Sequence, residues 1–397
     1  MNILIFSELY YPHGGGAELA TWLYSKMLAE KGFKIIIVTR QFPGEPSLEF
    51  INNSLEIIRI PMKTIYESRY YTLFNLGVLA SSLIRRLIKE SDIIYVPGSW
   101  FSVIPFAKIY KKPVIVHLHN YSLVCPTSLM YDFINQRIGS SSLKSFILHE
   151  YIEKKRSVFF VAASGFMNEL LGKRYNKLGS LADALIFVSK TQRELVLSRF
   201  PSLKNKSYVV YNPIPYLPLI EAKQKGLSYL GGRSFVKGFV VFIRALKLLR
   251  NSLEVYLLKS SKKPLKLFMN NGIILNLLPR INREDFPRLM QKTSIVAIPS
   301  IWPEPLPYTL VESMLYGKLI VASKIGGIPE ILTDDLEGVK LVEPGNYVQI
   351  ADSINQFLVL DLEEINEAGF KNREYILKKL NNENILNSFI KILYSIV

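Results

Sequence analysis

Short apolar runs alternate with longer segments of helical periodicity through the first half of the chain. The first run covers residues 2–7, and a glycine-rich loop and apolar residues at helical spacing follow it as far as Gly32. Further apolar runs lie at residues 34–39, 55–60, 92–96, 113–118 and 184–188. Short apolar strands separated by helices predict a parallel sheet with helices on both faces.

A proline-rich segment separates this series from a second one of the same kind. Three prolines fall within residues 213–218, where neither a helix nor a central strand accommodates them, so a linker is predicted. Beyond it, the pattern predicts strands at 227–230, 253–258, 273–277, 295–299 and 318–322, and helices at 240–249, 285–291, 308–316 and from 346 onward.

These patterns predict an α/β protein with two doubly wound Rossmann-like domains facing a cleft, followed by C-terminal helices. The predicted N-terminal domain covers residues 1–212, the linker 213–218 and the C-terminal domain 219–375. Residues 376–397 are predicted to form a last helix that can pack back on the N-terminal domain. Ligands of such folds bind at the carboxyl ends of the strands, so chemistry is expected in the loops there.

Composition narrows the class of protein. Of the 397 residues, 49% are hydrophobic and 21% are charged, which excludes a disordered chain. The single cysteine, Cys125, excludes a disulfide framework and a cysteine-based zinc site. The chain opens directly on an apolar run, and no apolar stretch reaches the roughly 18 to 20 residues of a spanning helix. We therefore expect no secretory signal and a cytoplasmic protein that can lie on the inner face of the membrane.

The charge is strongly basic and uneven. The net charge is +16, and residues 1–212 carry 26 Lys and Arg against 15 Asp and Glu, a net of +11. A plain basic surface, an anionic membrane surface, a phosphate-bearing ligand and nucleic acid all fit this excess. No recognition motif supports nucleic acid, so we expect none as a partner. Basic and apolar residues mix at 66–89 and at 144–177, either of which could attach the protein to a membrane.

Two glycine-flanked turns follow predicted strands and could hold phosphate groups. The first contains Gly15 and Gly16 before a helix, whose free N–H groups and positive dipole end suit an anion. The second, residues 231–238, carries Arg233 and Lys237. The planar guanidinium of the arginine and the compact ammonium group of the lysine could together bind a diphosphate. The alternatives are a tight turn and a loop with solvated charges.

A third segment, residues 299–314, combines prolines with two glutamates. The prolines exclude a helix around Glu304, which is therefore predicted on a loop after a strand, whereas Glu312 falls in the next helix. Two carboxylates there could bind vicinal sugar hydroxyls, and the N–H groups near Tyr308 and Thr309 could hold a phosphate. The alternative is that both carboxylates merely complement the dipole of the helix.

Little in the sequence suggests a metal. His119 lies at the end of the predicted strand 113–118, and a single histidine is more often structural than catalytic. No Asp-x-Asp or His-x-x-x-His pattern occurs. We expect no metal and no cofactor.

Together these motifs resemble the retaining glycosyltransferases of family 4, which have the two-domain GT-B architecture. The likeness covers most of the chain and is densest in residues 295–345, where Glu304 and Glu312 precede the segment Gly326-Gly327-Ile328-Pro329-Glu330. The loop with Gly15 and Gly16, the segment with His119 and the turn with Arg233 and Lys237 occur along the chain in the same order as in the family. The chain departs from the family at Asn120, which often is Asp, at Pro307, which commonly is Gly, and at 257–263, which replaces a Gly-x-Gly turn.

The resemblance implies a donor site in the C-terminal domain. Arg233 and Lys237 would bind the donor diphosphate, and Glu312 would hold the nucleotide ribose. The first-turn backbone at Tyr308 and Thr309 would bind phosphate, as the residue types alone already suggest.

The remaining implied roles fall in both domains. Glu304 would hold the transferred sugar, and His119 would stabilise charge beside the anomeric carbon, which makes these the two catalytic residues. The backbone at Gly15 and Gly16 would complete the phosphate site from the N-terminal, acceptor-side domain, and the backbone near Ile281 would meet the nucleobase.

The implied activity is that of a retaining, metal-independent hexosyltransferase without a cofactor. Its donor would be a UDP- or GDP-sugar, and its acceptor a glycan or a polyprenyl-phosphate-linked glycan near an anionic membrane surface. The alternative is a non-catalytic protein of the same fold that binds a nucleotide sugar or a membrane.

Overall fold

The computed structural model describes residues 1–62, 76–139, 142–333 and 335–397. They divide into two compact units, Met1–Pro213 with Asn382–Val397, and Ile214–Asn381. Residues 210–222, which contain the predicted linker 213–218, have no regular secondary structure. Of the predicted attachment segment 66–89, residues 66–75 lie outside the described ranges. Within those ranges, no helix has both the length and the apolar character that crossing a membrane requires.

The first unit is a mostly parallel sheet covered by helices. Its described strands are β1 (Asn2–Phe6), β2 (Lys34–Arg40), β3 (Leu48–Asn52), β4 (Leu55–Ile60), β5 (Ile93–Pro97), β6 (Val114–Leu118), β7 (Tyr131–Asp132), β8 (Arg137–Ile138), β9 (Ala184–Phe187) and β10 (Ser207–Val209). Its described helices are α1 (Gly16–Glu30), α2 (Leu76–Leu79), α3 (Ser82–Glu90), α4 (Val103–Ile109), α5 (Leu143–Ile152), α6 (Val158–Gly179) and α7 (Lys190–Leu197).

The eight strands of the main sheet follow the order β10-β9-β6-β5-β1-β2-β4-β3. All neighbours are parallel except β3 and β4, and β7 and β8 form a separate antiparallel pair. Every residue of β5 and β6 is buried, as expected for strands that helices cover on both faces. The sheet register sets Asn2 beside Lys34 and Ile94 beside Val114.

The second unit repeats this plan with a smaller sheet. Its described strands are β11 (Gly226–Tyr229), β12 (Glu254–Leu257), β13 (Leu265–Phe268), β14 (Ile274–Leu277), β15 (Ile295–Ile298), β16 (Leu319–Ser323) and β17 (Val339–Val342). Its described helices are α8 (Phe239–Leu246), α9 (Phe286–Gln291), α10 (Tyr308–Leu315), α11 (Ile328–Ile331), α12 (Tyr347–Val359) and α13 (Leu362–Lys379). The strand order is β13-β14-β12-β11-β15-β16-β17, and all neighbours are parallel except β13 and β14.

The predicted fold class, two doubly wound α/β sheets with C-terminal helices, is confirmed. The antiparallel edge strands β3 and β13 were not predicted. Four of the five residues of β3 and all four of β13 are exposed, so neither strand has a buried face to mark it in the sequence.

The end of the chain belongs to the first unit. Helix α13 continues past residue 375 to Lys379, and a last helix, α14 (Asn382–Ser395), follows it. Phe389 of α14 is fully buried, with its ring 4.8 Å from that of Tyr24 and 5.3 Å from that of Tyr95. The aromatic contacts fix α14 against α1 and the central strand β5.

Candidate functional site

In the second unit, the turn between β11 and α8 carries the two predicted diphosphate-binding side chains. Gly238 ends this turn with a φ of 81°, and a Cβ there would lie 1.8 Å from the carbonyl oxygen of Pro299. Only glycine therefore allows the turn to lie directly against the end of β15. Arg233 is exposed and Lys237 is half-buried, and the Tyr229 hydroxyl donates to the carbonyl of Lys237 at 3.2 Å.

Two further cations lie beside this turn. A Cβ on Gly231 would lie 3.1 Å from the Cβ of Lys237, and one on Gly232 would lie 3.5 Å from the Cβ of Lys259. Desolvation lowers the pKa of the Lys259 amine, and the charges of Lys237 and Arg280 lower it further. Lys237, Lys259 and Arg280, here called the cation cluster, follow the neighbouring strands β11, β12 and β14.

Helix α10 presents a carboxylate to the cation cluster. Nη2 of Arg283 donates to Oε1 of Glu312 at 2.9 Å. Burial raises the pKa of Glu312, whereas the charges of Arg283 and Lys259 act in the opposite direction. The carboxylate of Glu312 is thus partly buried and has two cationic neighbours, Arg283 and Lys259.

Glu304 lies on the loop after β15, as the prolines predicted. Its side chain is buried, and the hydroxyl of Ser300 donates to its Oε1. The N–H of Gly327 donates to the carbonyl of Glu304 at 2.8 Å. Gly326 has a φ of 63°, and a Cβ there would lie 2.2 Å from the same carbonyl oxygen. The glycine pair therefore holds the backbone that carries the glutamate.

Three other predicted residues lie at the same edge of the second sheet. Tyr308 and Thr309 open α10 and are half-buried. Ile281 lies between Arg280 and the 3₁₀ turn Arg283–Asp285, and it is also half-buried.

In the first unit, the glycine loop is occupied by a carboxylate of its own helix. The N–H of Gly15 donates to Oε2 of Glu18 at 2.6 Å, and Gly16 opens α1. Gly14 has a φ of 90°, and a Cβ there would lie 2.4 Å from Cδ of Glu18. Burial raises the pKa of Glu18. An anion at this loop would have to displace that carboxylate from the Gly15 amide.

A second carboxyl group lies two residues beyond β1. Burial, with the charge of Glu18 as the next cause, raises the pKa of Glu8 to about 7, and a hydrogen bond with Ser99 acts against the shift. Oε1 of Glu8 is buried and has no hydrogen-bond partner among the described residues. Such a group can exchange a proton near neutral pH.

The histidines lie at the end of β6. His117 is fully buried, and its Nδ1 lies 2.9 Å from the Tyr95 hydroxyl. The ring of His119 stacks on that of His117 at 4.5 Å, and burial lowers the pKa of His119 to about 4. Both ring nitrogens of His119 are buried and find no partner within the described part of the chain. His119 is therefore a neutral imidazole at pH 7 with two unused polar atoms.

The predicted site residues thus fall at the carboxyl edges of two separate sheets. The second unit carries Arg233, Lys237, Ile281, Glu304, Tyr308, Thr309 and Glu312, and the first carries Gly15, Gly16 and His119. Sequence reasoning missed Lys259, Arg280, Arg283 and Glu8. The first two lie two and three residues beyond a strand, so a search for charges directly after strand ends could have found them. In the described ranges, no group of three or more His, Cys, Asp or Glu side chains could hold a metal ion.

Two family models cover most of the chain. One, described as Glycosyltransferase Family 4, matches residues 14–216. The other, described as Glycosyl transferases group 1, matches residues 218–374.

Individual proteins match over similar lengths. An uncharacterized 42.6 kDa protein in the cps region of Klebsiella pneumoniae is 25% identical over 346 residues, which are 83% of this chain and 87% of that protein. Sucrose-phosphate synthase from Thermosynechococcus elongatus matches with a TM-score of 0.69 at 14% identity, over 99% of this chain and 98% of its own. Anabaena Alr3699/HepE in complex with UDP-glucose matches with a TM-score of 0.66 at 16% identity, over 100% of both chains.

Proposed function

Because the chain belongs to glycosyltransferase family 4 and has its GT-B fold, we propose that it transfers a hexose from a nucleotide sugar to a glycan or polyprenyl-phosphate-linked acceptor. The proposed reaction retains the configuration of the anomeric carbon and needs no metal. The protein is proposed to act in the cytoplasm, on the inner face of the membrane.

The cation cluster is the observation that carries this proposal. Three cations that follow three neighbouring strands meet at the edge where doubly wound sheets bind ligands, and one of them, Lys259, lies beside Glu312. Like charges so close together are unfavourable unless an anion compensates them. Burial lowers the pKa of Lys259 most, and the charges of Lys237 and Arg280 lower it further. A nucleoside diphosphate supplies that anion and a ribose whose hydroxyls can donate to Glu312.

The cation cluster could also assist cleavage of the bond between the sugar and the diphosphate. Departure of the diphosphate leaves negative charge on its oxygens and an oxocarbenium-like sugar. Preorganised cations at the leaving group stabilise that charge as it develops. Arg233, exposed on the same turn as Lys237, is proposed to add a bidentate contact to the diphosphate.

Glu304 and His119 are proposed to act on the sugar. Ser300 donates to one oxygen of Glu304, and the carboxylate remains able to accept hydrogen bonds from sugar hydroxyls. The neutral imidazole of His119 can donate a hydrogen bond without adding a positive charge next to an oxocarbenium ion. The unpartnered ring nitrogens support a ligand at His119, since buried polar atoms normally have a partner.

We propose UDP as the nucleotide, with GDP as the alternative. The complex of the Anabaena protein with UDP-glucose supports this choice, because that protein has a similar fold over the whole chain. The excess of basic residues in 1–212 supports an acceptor that carries phosphate.

The test separates nucleotide binding from turnover. UDP and GDP are titrated into the protein by calorimetry in EDTA, and release of UDP from UDP-glucose into water is followed separately. Lys259→Met is expected to weaken UDP binding about 10- to 100-fold, because a hydrogen bond to a charged group is lost. Glu304→Gln is expected to leave UDP affinity unchanged and to lower kcat about 30- to 150-fold.

Lys378→Met is the matched control, since Lys378 is exposed in the last turn of α13. It should behave like the wild type in both measurements. Unchanged UDP affinity in Lys259→Met would remove the diphosphate assignment. Tight UDP binding without any UDP release would favour the non-catalytic alternative.

A further inference from the structure

The chain between β6 and β9 is longer than the sheet needs. The two strands are parallel neighbours, and residues 119–183 connect them, although one crossover helix would suffice. The second half of α6 serves as that crossover, because Tyr175 is buried there, its ring lies 5.3 Å from that of Phe101, and its hydroxyl donates to the carbonyl of Ser99 in the loop after β5. The first half of α6 and all of α5 form an addition, here called the α5–α6 hairpin, residues 142–172.

One face of α6 within the hairpin is apolar and exposed to water. Phe159 is 89% exposed, Phe166 66% and Leu170 53%, and Ala162 and Ala163 between them are also exposed. Positions 159, 162, 163, 166 and 170 follow helical spacing and therefore form a single stripe. A stripe of this kind normally faces a protein core, yet here it faces outward.

Helix α5 adds a second apolar stripe next to the first. Leu143, Ile147 and Tyr151 lie one turn apart, and all three are exposed. A Cβ on Gly165 would lie 3.3 Å from Cδ1 of Leu143 and 4.0 Å from Cγ1 of Ile147, so these side chains border α6 directly. The two stripes form one apolar surface, which is larger than scattered surface residues would make.

Basic residues surround this apolar surface. The connection between the helices contains Lys154 and Lys155, both exposed, and Lys144 is exposed on α5. Nη1 of Arg156 donates to Oε2 of the buried Glu150 at 2.8 Å, and this ion pair holds the connection in place. The hairpin itself, residues 142–172, contains four Lys and Arg against three Asp and Glu, and Lys173, Arg174 and Lys177 follow it along α6.

We propose that the α5–α6 hairpin is a membrane-binding surface that inserts its apolar stripes into an anionic lipid bilayer. Exposed Phe and Leu on one face, with Lys around them, are the features of helices that lie in the interface. The Lys side chains would contact lipid phosphates, and each basic residue near such a surface strengthens binding. Because the second half of α6 is packed against Phe101 and the loop after β5, the hairpin lies in the interface rather than crossing the bilayer.

The choice of lipid over a protein partner rests on this charge. An obligate protein interface has few charges near its apolar centre, whereas the hairpin has lysines at its tip and beside its stripes. The surface lies outside the residues proposed for sugar transfer, so lipid binding can be measured whether or not the transfer reaction is correctly assigned.

The experiment measures co-sedimentation with vesicles. The wild type is expected to bind vesicles of phosphatidylglycerol and phosphatidylcholine, and to bind phosphatidylcholine alone at least about 10-fold more weakly. The double variant Phe159→Glu, Phe166→Glu should lose about 100-fold or more in partition onto the anionic vesicles. The double variant Phe50→Glu, Phe268→Glu is the matched control, because Phe50 and Phe268 are 67% and 74% exposed on the edge strands β3 and β13. It should keep the wild-type partition within about threefold.

Further measurements keep the outcomes apart. A far-ultraviolet circular dichroism spectrum and a urea-unfolding midpoint equal to those of the wild type would establish that the Phe159→Glu, Phe166→Glu variant is folded, and the fluorescence of Phe159→Trp should shift to the blue with anionic vesicles. Equal binding of the two double variants would overturn the proposal. So would a wild-type dimer that the Phe159→Glu, Phe166→Glu variant converts to a monomer while its vesicle binding stays unchanged, since the surface would then bind a second copy.

Discussion

Two carboxyl groups, Glu8 beyond β1 and Glu18 in the first turn of α1, make the stability of the first unit depend on pH. Burial raises the pKa of both Glu8 and Glu18, and the pKa of Glu8 reaches about 7 from its ordinary value of 4.5. As the pH rises, the unfolded chain therefore releases the Glu8 proton before the folded chain does. The stability that protonated Glu8 contributes is fully present below about pH 4.5 and is lost as the pH rises through 7.

Glu8→Gln should remove this pH dependence, because an amide resembles the protonated acid and does not ionise. The free energy of unfolding of the variant should exceed that of the wild type by about 2–3 kcal/mol at pH 8, and the difference should shrink toward pH 4. Urea unfolding at several pH values measures it. Glu90→Gln, at an exposed position that ends α3, is the control and should track the wild type. Parallel pH profiles for Glu8→Gln and the wild type would contradict the assignment.

At the scale of single residues, sequence reasoning found the side chains that stand in recurrent motifs. Glu304 is placed on a loop by its neighbouring prolines, a local effect that the sequence displays directly. Lys259 and Arg280 reach the same edge only because β11, β12 and β14 lie side by side in that order, and that strand order is a property of the sheet. The neutral state of His119 likewise follows from burial, which the sequence does not display.

Among the connecting elements, the glycine turn after β16 determines where Glu304 lies. Gly326 has a positive φ and touches the backbone of Glu304. Two independent constraints, backbone conformation and close packing, therefore require glycine at this position. Gly345 has a comparable φ of 81°, but nothing lies within 4 Å of where its Cβ would be. The two glycines therefore separate backbone strain from close packing.

Gly326→Ala should destabilise the second unit more than Gly345→Ala does. Both substitutions cost about 1 kcal/mol for the left-handed conformation, and only the first also forces two backbones apart. The total for Gly326→Ala is expected to be about 3 kcal/mol or more, measured by urea unfolding. Equal losses of stability in the two variants would show that the close contact between Gly326 and the backbone of Glu304 contributes nothing to the free energy of unfolding.

Strands and helices could be predicted from the sequence where their side chains are buried. Strand β6 was predicted nearly to the residue because all five of its side chains are buried and four of them are apolar. Strand β13 reads Leu-Lys-Leu-Phe and is exposed throughout, so only its pairing with β14 makes it a strand. The α5–α6 hairpin shows the converse case, in which an apolar stripe exists without a protein core to cover it.

For the molecule as a whole, the chain leaves the first unit after Pro213 and returns at Asn382. Alternating strands and helices sufficed to predict two doubly wound sheets, because that alternation permits few other topologies. The stripe of α14 was visible as helical periodicity, but periodicity identifies an apolar face without identifying what that face contacts. In the structure, the ring of Phe389 on α14 contacts the rings of Tyr24 on α1 and Tyr95 on the central strand β5.

Phe389→Ala should therefore weaken the first unit and spare the second. Truncating a fully buried Phe leaves a cavity and costs about 3–5 kcal/mol. Hydrogen exchange read by mass spectrometry should show β1 and β5 exchanging about 100-fold faster, with β11 and β15 unchanged. Phe370→Ala is the control, because the Phe370 side chain on α13 is 49% exposed and its loss should cost less than about 1 kcal/mol. Faster exchange of β11 and β15 to the same degree would mean that α14 stabilises both units equally, since a cavity beside β5 has no other reason to loosen strands of the second sheet.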